Sequence, residues 1–400
     1  MQRGPQKYDH KKQVQDKQNI PFKEIGRGAY GRVYSPAFKC KGAAQQQVDK
    51  RLYVSKLVKN TAHAEQQLKN SLTLGLWRID PSMQYFIGTA EKCELTEQEK
   101  ARVNPWIRNF GSAPDFVLNY LYGGVSLAKF LAGDEGLSQK EGLAVLRALE
   151  NVFKGVALLH RHGIYHMDIK EANLVVSRGK TEPIGGRTEP IGGRRKTELH
   201  IRLIDFGASK TLSHPPTHVV GTLLYIPLEM NFIKDTAFSK NVYQIYKAHH
   251  FLPPLVDLGL TFEPEEFPTW EECKRLTLEE KFTKADIWAL GIVLQGIMIV
   301  LPELNQIIRV KLKELIKKLL TIKVQERPNA IEALKLYRAF IQDCQTGQTG
   351  QTGQTGQTGQ TGRPLQTGRP LQTGRPLQTG RPLQTGRPLQ TGRPLQTGRR

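Results

Sequence analysis

The sequence is poor in cysteine and has no paired-cysteine pattern. Its four cysteines are widely spaced and include no CxxC pair: Cys40, Cys93, Cys273 and Cys344. This spacing argues against a metal ribbon or a disulfide scaffold and is typical of a reducing compartment. The N-terminus also lacks the apolar segment of a secretory signal. We therefore expect an intracellular protein, either cytoplasmic or nuclear.

Long apolar runs are equally scarce in the 400 residues. The most apolar run, 287–302, is short for a membrane span, contains Gln295 and begins beside Asp286. We therefore predict a buried core helix at this place and no membrane span.

Acidic residues are few, since 37 Asp and Glu stand against 58 Lys and Arg and give a net charge of +21. Such an excess is common in proteins that bind nucleic acid or acidic membranes. Most of it lies in three segments of low complexity. The tail 345–400 carries eight Arg and no acid, and the leader 1–20 and the segment 177–200 each carry a net +3.

Two of these segments are repetitive. The heptapeptide TEPIGGR occupies 181–187 and recurs at 188–194, and the tail repeats QTG six times before it changes to RPLQTG. Units of three and six residues lack the apolar positions that a solenoid core requires, so we predict a disordered tail over 344–400. In the alternative interpretation, the regular arginines of the tail bind nucleic acid or anionic lipid.

The segment 21–343 has the pattern of one folded α+β unit. Short apolar or alternating runs predict strands at 20–25, 31–34, 51–58 and 116–121, and apolar residues at helical spacing predict a helix over 141–160. A small β-rich lobe is thus followed by a larger helical lobe.

A glycine motif near the start of this unit points to phosphate binding. Gly26, Gly28 and Gly31 form a GxGxxG pattern. A strand-like segment with Val33 follows the glycines, whereas a dinucleotide-binding fold would place a helix there. The pattern therefore predicts a glycine flap between two strands, which covers phosphates with its backbone N–H groups.

A lysine in the predicted strand 51–58 is the second motif. Lys56 is costly on an apolar strand unless its ammonium has a partner. Glu65, in the helical stretch 61–70, is the acid that we predict to pair with it.

The third motif is the strongest, with HMDIKEAN at 166–173 and LIDFG at 203–207. Together with the glycine flap, Lys56 and Glu65, this series resembles the eukaryotic-type protein kinase superfamily of the Ser/Thr type. The resemblance extends over nearly all of 21–343. It implies a bilobal protein-kinase fold, with an N-lobe at about 21–121 and a C-lobe at about 122–343.

The resemblance implies the chemistry of γ-phosphate transfer from ATP to Ser or Thr hydroxyls of protein substrates. Asp168 would act as the base toward the attacking hydroxyl, and Lys170 would neutralise charge on the γ-phosphate. Asn173 and Asp205 would hold Mg²⁺, which prefers oxygen ligands. Lys170 stands two residues after Asp168, which is the pattern of the Ser/Thr kinases.

By the same resemblance, the nucleotide would lie against the N-lobe. Lys56, held by Glu65, would bind the α- and β-phosphates beneath the flap. The segment 116–124 resembles the hinge, with Leu118 as gatekeeper and the Leu121 backbone bonded to the adenine edge. Four apolar side chains would enclose the adenine: Ile25, Val33, Val54 and Leu174.

Other residues would have structural roles by this resemblance. Asp286 would hold the backbone of the catalytic loop, and His166 would pack beneath that loop. Glu229 would form a buried ion pair with Arg327, in which the loss of one partner strands the other charge.

The residue before Asp168 departs from the family pattern. Met167 stands where an Arg normally receives the activation-loop phosphate, and methionine has no donor for a phosphate. We therefore expect activity that does not require phosphorylation of Ser213 or Thr217.

Spacing departs from the pattern at three further places. Glu65 follows Lys56 by only nine positions, and Lys69 stands where an apolar residue is expected. The insert 178–197 is predicted to be a surface loop joining two short strands, because long loops cost little stability. The insert 230–283 is predicted to form extra helices on the C-lobe.

This combination of a complete catalytic set and irregular inserts resembles kinases of large DNA viruses such as iridoviruses, which would place the protein in a host cell or a virion. We expect a monomer. Two alternatives belong to other functional classes. One is a pseudokinase scaffold that binds ATP without turning it over, and the other is a chain whose basic tail tethers it to nucleic acid or anionic membrane.

Overall fold

The structure of the chain is a computed structural model that describes residues 22–28, 31–41, 52–58, 61–88, 90–107, 116–133, 137–179, 198–214, 221–222, 225–232 and 268–349. The chain divides into a unit from 1 to 353 and a second unit from 354 to 400. The predictions for the leader, for most of the two inserts and for the tail beyond 349 fall outside the described residues.

The described residues form strands first and mainly helices later. The strands are β1 (Lys23–Gly28), β2 (Gly31–Ser35), β3 (Tyr53–Val58), β4 (Phe86–Ile87), β5 (Glu91–Glu94), β6 (Phe116–Leu121), β7 (Val125–Ser126), β8 (Ile164–Tyr165), β9 (Leu174–Gly179), β10 (Glu198–Ile204) and β11 (Lys210–Thr211). The helices are α1 (Thr61–Leu74), α2 (Leu76–Ile79), α3 (Glu97–Ile107), α4 (Leu127–Leu131), α5 (Gln139–Arg161), α6 (Trp270–Arg275), α7 (Leu278–Val300), α8 (Gln306–Leu319) and α9 (Ala330–Thr349).

A five-stranded antiparallel sheet in the order β1-β2-β3-β6-β5 forms the N-lobe. The strand predictions for this lobe are confirmed, with shifts of a few residues at the ends. The expected alternation in β3 is too simple, because Ser55 and Leu57 are as well buried as Val54 and Val58. Leu52, at the start of the predicted strand 51–58, is 53% exposed. The sheet is thus covered on both sides of β3.

Helices α5 and α7 are the centre of the C-lobe core. The predicted helix over 141–160 is confirmed as α5, which begins at a capping box between Ser138 and Glu141. Its apolar positions bury against α9, where the ring of Tyr337 stacks on Phe153 at a centroid distance of 4.1 Å. The α+β architecture predicted from the sequence is confirmed.

Helix α7 contains the most apolar run of the chain. By length and composition it could cross a membrane, but 72% of its most apolar stretch is buried inside the protein. The helix begins at a capping box between Thr277 and Glu280. The predicted buried core helix is confirmed.

Strands β9 and β10 pair as an antiparallel hairpin from Leu174↔Leu203 to Gly179↔Glu198. The prediction that the first insert joins two short strands is therefore confirmed, and residues 180–197 lie outside the described residues. The described end of the second insert contains α6 and the first turn of α7, and the prediction of extra helices over the rest of this insert stays a prediction.

Two features of the chain differ from what the sequence led us to expect. Cys40 and Cys93 form a disulfide with a Cα–Cα distance of 5.0 Å, although 53 positions separate them. Cys40 forms a β-bridge to Leu95, just after β5, and this pairing brings the two sulfur atoms together. The expected reducing compartment loses this part of its support. The repeat tail was expected from 344, yet α9 continues to Thr349 and includes the first QTG unit.

Candidate active site

The predicted catalytic loop, residues 166–173 between β8 and β9, is fixed by one carboxylate of α7. Asp286 accepts the backbone N–H groups of His166 and Met167, both at 2.8 Å, and contacts His160 Nε2 at 2.9 Å. Burial opposes ionisation of Asp286, but His160 and these backbone donors hold the pKa of its carboxyl below the usual value. The predicted role of Asp286 is confirmed.

His166 supports this loop from below. Its ring is buried, lies edge-on to Phe206 at 4.8 Å, and contacts the carbonyl oxygen of Ile204 through Nε2 at 3.1 Å. Its Nδ1 accepts the backbone N–H of Asp168 at 3.3 Å. With both ring nitrogens occupied, His166 has the structural role that the resemblance implied.

The Asp168 carboxylate is held by three side-chain donors. Lys170 Nζ donates to Oδ2 at 2.9 Å, Asn173 Nδ2 donates to the same oxygen at 2.9 Å, and Thr222 Oγ1 donates to Oδ1 at 2.7 Å. The carboxylate is 17% exposed, so it can still meet a molecule in the cleft. Such an arrangement fixes the direction in which the carboxylate faces an incoming hydroxyl.

Sequence reasoning missed Thr222, which accepts from Lys170 Nζ at 2.6 Å in addition to its bond with Asp168. The available signal was the glycine before it. Gly221 adopts φ 112°, and a Cβ at this position would lie 2.4 Å from the Met167 carbonyl oxygen. Only glycine allows the chain to pass this close to the catalytic loop, which places Thr222 beside Asp168.

Glu171 and Tyr225 form a second contact that the sequence did not indicate. The Tyr225 hydroxyl donates to the Glu171 carboxylate next to Lys170. Burial raises the pKa of Glu171, although the Tyr225 hydrogen bond acts in the other direction. This contact ties the segment after Thr222 to the catalytic loop.

Lys56 lies opposite Val33 and Leu118 in the registers of β2 and β6. Directly opposed residues share a face of an antiparallel sheet, and Val54 joins them because it stands two positions from Lys56. The structure thus brings the predicted phosphate lysine, the predicted gatekeeper and two predicted adenine contacts to one face.

The remaining predicted nucleotide contacts lie on the surrounding elements. Gly28 opposes Gly31 where β1 and β2 meet, and Gly26 opposes Val33. Leu174 is fully buried at the start of β9, and Leu121 ends β6. The carbonyl oxygen of Ile25 accepts from Lys129 Nζ of α4 at 2.5 Å, so the two lobes touch at this edge of the cleft.

Asp205 is the ion-pair partner of Lys56 in this structure. Its Oδ1 accepts from Lys56 Nζ at 2.9 Å, with side-chain exposures of 39% for Asp205 and 12% for Lys56. Burial opposes ionisation of Asp205, but the Lys56 ammonium outweighs this effect and holds the pKa of the carboxyl below its usual value. Lys56, the predicted ligand of the nucleotide phosphates, is therefore adjacent to Asp205, a predicted ligand of the metal.

The predicted pair of Lys56 with Glu65 is wrong in this conformation. Glu65 is exposed on α1, while the ammonium of Lys56 contacts Asp205. The helix forms as predicted, but it is turned so that Asn70 faces the 205–207 segment, where its Nδ2 donates to the Gly207 carbonyl oxygen at 3.3 Å. Lys69, like Glu65, lies on the exposed part of the helix.

The predicted metal ligands fit magnesium by their chemistry. Asp205 offers carboxylate oxygens, and Asn173 turns its amide nitrogen toward Asp168, which leaves the amide oxygen for another partner. The described part of the chain contains no cluster of three His, Cys, Asp or Glu residues with metal-ligand geometry. Mg²⁺ commonly takes one or two protein oxygens together with substrate phosphates, so this sparse donor set suits it.

The partnership of the two scaffold residues is as predicted. Glu229 and Arg327 form an ion pair in which each side chain is only 1% exposed. The guanidinium also donates to the carbonyl oxygens of Thr321 at 2.9 Å and Lys284 at 3.1 Å.

Comparison with known proteins finds similarity to protein kinases. The family model described as "Protein kinase domain" matches residues 95–243. Rabbit (Oryctolagus cuniculus) serine/threonine-protein kinase 17A is 24% identical over 205 residues, which cover 45% of this chain and 47% of the relative. The mouse (Mus musculus) interferon-induced, double-stranded RNA-activated protein kinase is 23% identical over 335 residues, which cover 78% of this chain and 49% of the relative.

A third relative is named as a dual specificity kinase. The zebrafish (Danio rerio) dual specificity protein kinase Ttk is 26% identical over 234 residues, which cover 56% of this chain and 18% of the relative. This chain therefore spans less than half the length of each of these curated relatives.

Proposed function

We propose that the chain is a member of the eukaryotic-type protein kinase superfamily and acts as an ATP-dependent serine/threonine protein kinase. The observation that carries the proposal is the Asp168 carboxylate, which Lys170, Asn173 and Thr222 hold at the surface of the cleft. A carboxylate held by three donors is suited to orient a hydroxyl, whereas a carboxylate that only stabilises a turn needs no such network of donors.

In the proposed mechanism, the chain mainly positions the reactants and compensates their charge. Asp168 would accept a hydrogen bond from the substrate hydroxyl and take up its proton as the new P–O bond forms and the bond between the γ-phosphorus and the bridging oxygen breaks, which releases ADP. Lys170 would stabilise the negative charge on the transferred phosphoryl group. The Thr222 contact would keep Lys170 and Asp168 in one arrangement during this step.

Nucleotide binding would use the face of the sheet that carries Lys56. Val33, Val54 and Leu118 would enclose the base, and Lys56 would turn from Asp205 toward the α- and β-phosphates. Asn173 and Asp205 would hold Mg²⁺, which supplies charge neutralisation on the phosphates when bound. Because the Ttk relative is a dual specificity kinase, the restriction to Ser and Thr rests on the position of Lys170.

The direct test is transfer of the labelled γ-phosphate of ATP to a generic basic protein, followed by separation of the phosphoamino acids. We expect time-dependent label on phosphoserine and phosphothreonine, and none above background on phosphotyrosine. Label on all three would contradict the Ser/Thr restriction while keeping the kinase activity. Absence of transfer, with nucleotide binding retained, would contradict the enzyme proposal.

An ATP-binding scaffold is the second candidate. The observation that favours it is the Lys56–Asp205 pair, which joins two groups that an active kinase would direct at the nucleotide and its metal. Asp168, Lys170 and Asn173 have no evident use in a scaffold, so we favour the enzyme. The transfer assay separates the two candidates.

We further propose that activity does not depend on phosphorylation of the activation segment. Met167 is 6% exposed and packs in a cluster with Tyr165, Ile226 and Met230. An apolar side chain in this cluster offers no donor to a phosphate, so a phosphate on Ser213 or Thr217 would lack this partner.

The variant with both Ser213→Ala and Thr217→Ala should therefore keep its kcat/KM within about twofold of wild type, a difference of less than about 0.5 kcal/mol in transition-state free energy. The measurement is phosphate transfer by protein produced with and without phosphatase treatment. Loss of activity in the double variant, with recovery when both positions are Asp, would contradict independence from phosphorylation.

A further inference from the structure

Helix α1 presents an inner face to the site. On this face Asn70 contacts the Gly207 carbonyl oxygen, Ser71 Oγ accepts the backbone N–H of Ala90 at 3.1 Å, and Leu74 packs against the main core. Gln67 precedes these residues by three, four and seven positions, so it lies on the same face. The inner face thus places Gln67 where the helix approaches the segment 205–207.

Glu65 lies elsewhere on α1. Two helical positions separate it from Gln67, which corresponds to a rotation of about 200° around the axis. Together with Lys69 and Leu72 it lines a cavity of about 310 Å³ whose other wall includes Lys92 and Phe116. The acid predicted to hold Lys56 is therefore turned to another side of the helix.

Gln67 and Asp205 both approach Gly207. A Cβ placed on Gly207 would lie 3.7 Å from Gln67 Nε2 and 3.3 Å from Asp205 Oδ1. The same Asp205 oxygen accepts from Lys56 Nζ at 2.9 Å. The amide of Gln67 and the carboxylate that holds Lys56 thus border the same residue, Gly207.

The amide oxygen of Gln67 is a buried acceptor without a hydrogen-bond partner. Leaving such an oxygen unpaired costs free energy, so we expect it to gain a donor in another state of the site. A half-turn of the amide exchanges the positions of its oxygen and nitrogen, so either can be directed at the pair. An ammonium group released from Asp205 would satisfy this oxygen.

We propose that Gln67, and not Glu65, is the residue of α1 that positions Lys56 when the site holds nucleotide. The inference rests on the proposed kinase function. When Lys56 turns from Asp205 to the phosphates, its ammonium donates to the Gln67 amide oxygen, which keeps it directed at the nucleotide. A neutral acceptor also leaves the full positive charge of Lys56 available to the phosphates.

The test compares two positions of the full-length chain. The variants are Gln67→Ala and Gln67→Glu, with Glu65→Ala and Glu65→Gln as matched controls on the same helix. The dissociation constant of a fluorescent, non-hydrolysable ATP analogue is measured with Mg²⁺, and kcat and KM for ATP are measured on a basic protein. Thermal unfolding shows whether each variant is folded.

We expect Gln67→Ala to weaken analogue binding and raise KM for ATP by about tenfold, the effect of one hydrogen bond to a charged group. Gln67→Glu keeps an acceptor for Lys56 and should restore binding to within about threefold of wild type, a rescue that a purely packing role would not give. Both Glu65 variants should stay within about twofold of wild type, since an exposed acid contributes little.

Three outcomes would overturn the inference. A loss confined to the Glu65 variants would mean that α1 rotates in the working protein. Equal losses in Gln67→Ala and Gln67→Glu would mean that Gln67 only packs, and no loss in any variant would mean that α1 does not position Lys56. If wild type binds the analogue but transfers no phosphate, the proposed function fails, and the binding data still decide the role of Gln67.

Discussion

Replacing Asp168 with Asn should reduce kcat for phosphate transfer by about 10³-fold, within the range of about 10²–10⁴ for a positioned acid or base. The substitution keeps the shape of the side chain but removes the negative charge to which Lys170 and Thr222 donate hydrogen bonds. It also places an NH₂ group where donors converge on a carboxylate oxygen. The measurement is initial rate at saturating ATP, with labelled γ-phosphate.

The same variant should bind ATP nearly as well as wild type, because Asp168 contacts Lys170, Asn173 and Thr222 and is not a proposed phosphate ligand. Asp343→Asn is the matched control, since it makes the same chemical change in an ion pair with Lys311 on the surface of the C-lobe, where the two charged groups are 2.6 Å apart. The control should be fully active. Transfer by Asp168→Asn above about a tenth of the wild-type rate would contradict the assignment of Asp168 as base.

Replacing Arg327 with Met should lower the free energy of unfolding by about 3–5 kcal/mol, the cost of leaving one charge of a buried ion pair unpaired. The Glu229 carboxylate would remain in a site where both side chains are 1% exposed. The variant would also lose the contact of the guanidinium with the Trp288 ring, whose centroid lies 4.9 Å away. Urea unfolding of the two proteins gives the difference.

Two further variants test the cause of this loss. Arg338→Met removes an exposed ion pair with Glu150 and should cost less than about 1 kcal/mol. Adding Glu229→Gln to Arg327→Met removes the stranded charge, so the double variant should be more stable than the single one. A cost below about 1 kcal/mol for Arg327→Met would contradict the structural role of the pair.

The sequence predicted the elements on which the candidate site residues lie, but not all of the contacts between them. Lys56 lies on a predicted strand, and Asn173 and Asp205 flank the two strands that the first insert was predicted to join. The catalytic and metal-binding roles of these residues stay predictions. The partner of Lys56 could not be read from the sequence, since it depends on how α1 is rotated. The leucine positions of that helix do not mark its buried face. Leu72 is 59% exposed, whereas Ser71 is only 4% exposed and accepts a hydrogen bond from the backbone N–H of Ala90.

The disulfide was missed for a related reason. Cys40 and Cys93 meet through a strand pairing across 53 positions, and neither cysteine has a neighbour in the sequence that indicates a partner. Long-range contacts of this kind arise from topology and not from local composition. Four expectations stay predictions: the monomeric state, the intracellular location, the resemblance to viral kinases and the binding role of the tail.

The hairpin of β9 and β10 has a consequence for how this gene can change. Its last pair, Gly179 with Glu198, brings together the two residues that flank the segment 180–197, which contains the duplicated heptapeptide. A gain or loss of further copies would start and finish at these same two points. Asn173 and Asp205 lie at the opposite end of the hairpin, so we expect a change in copy number to leave the spacing of the two predicted metal ligands unaffected.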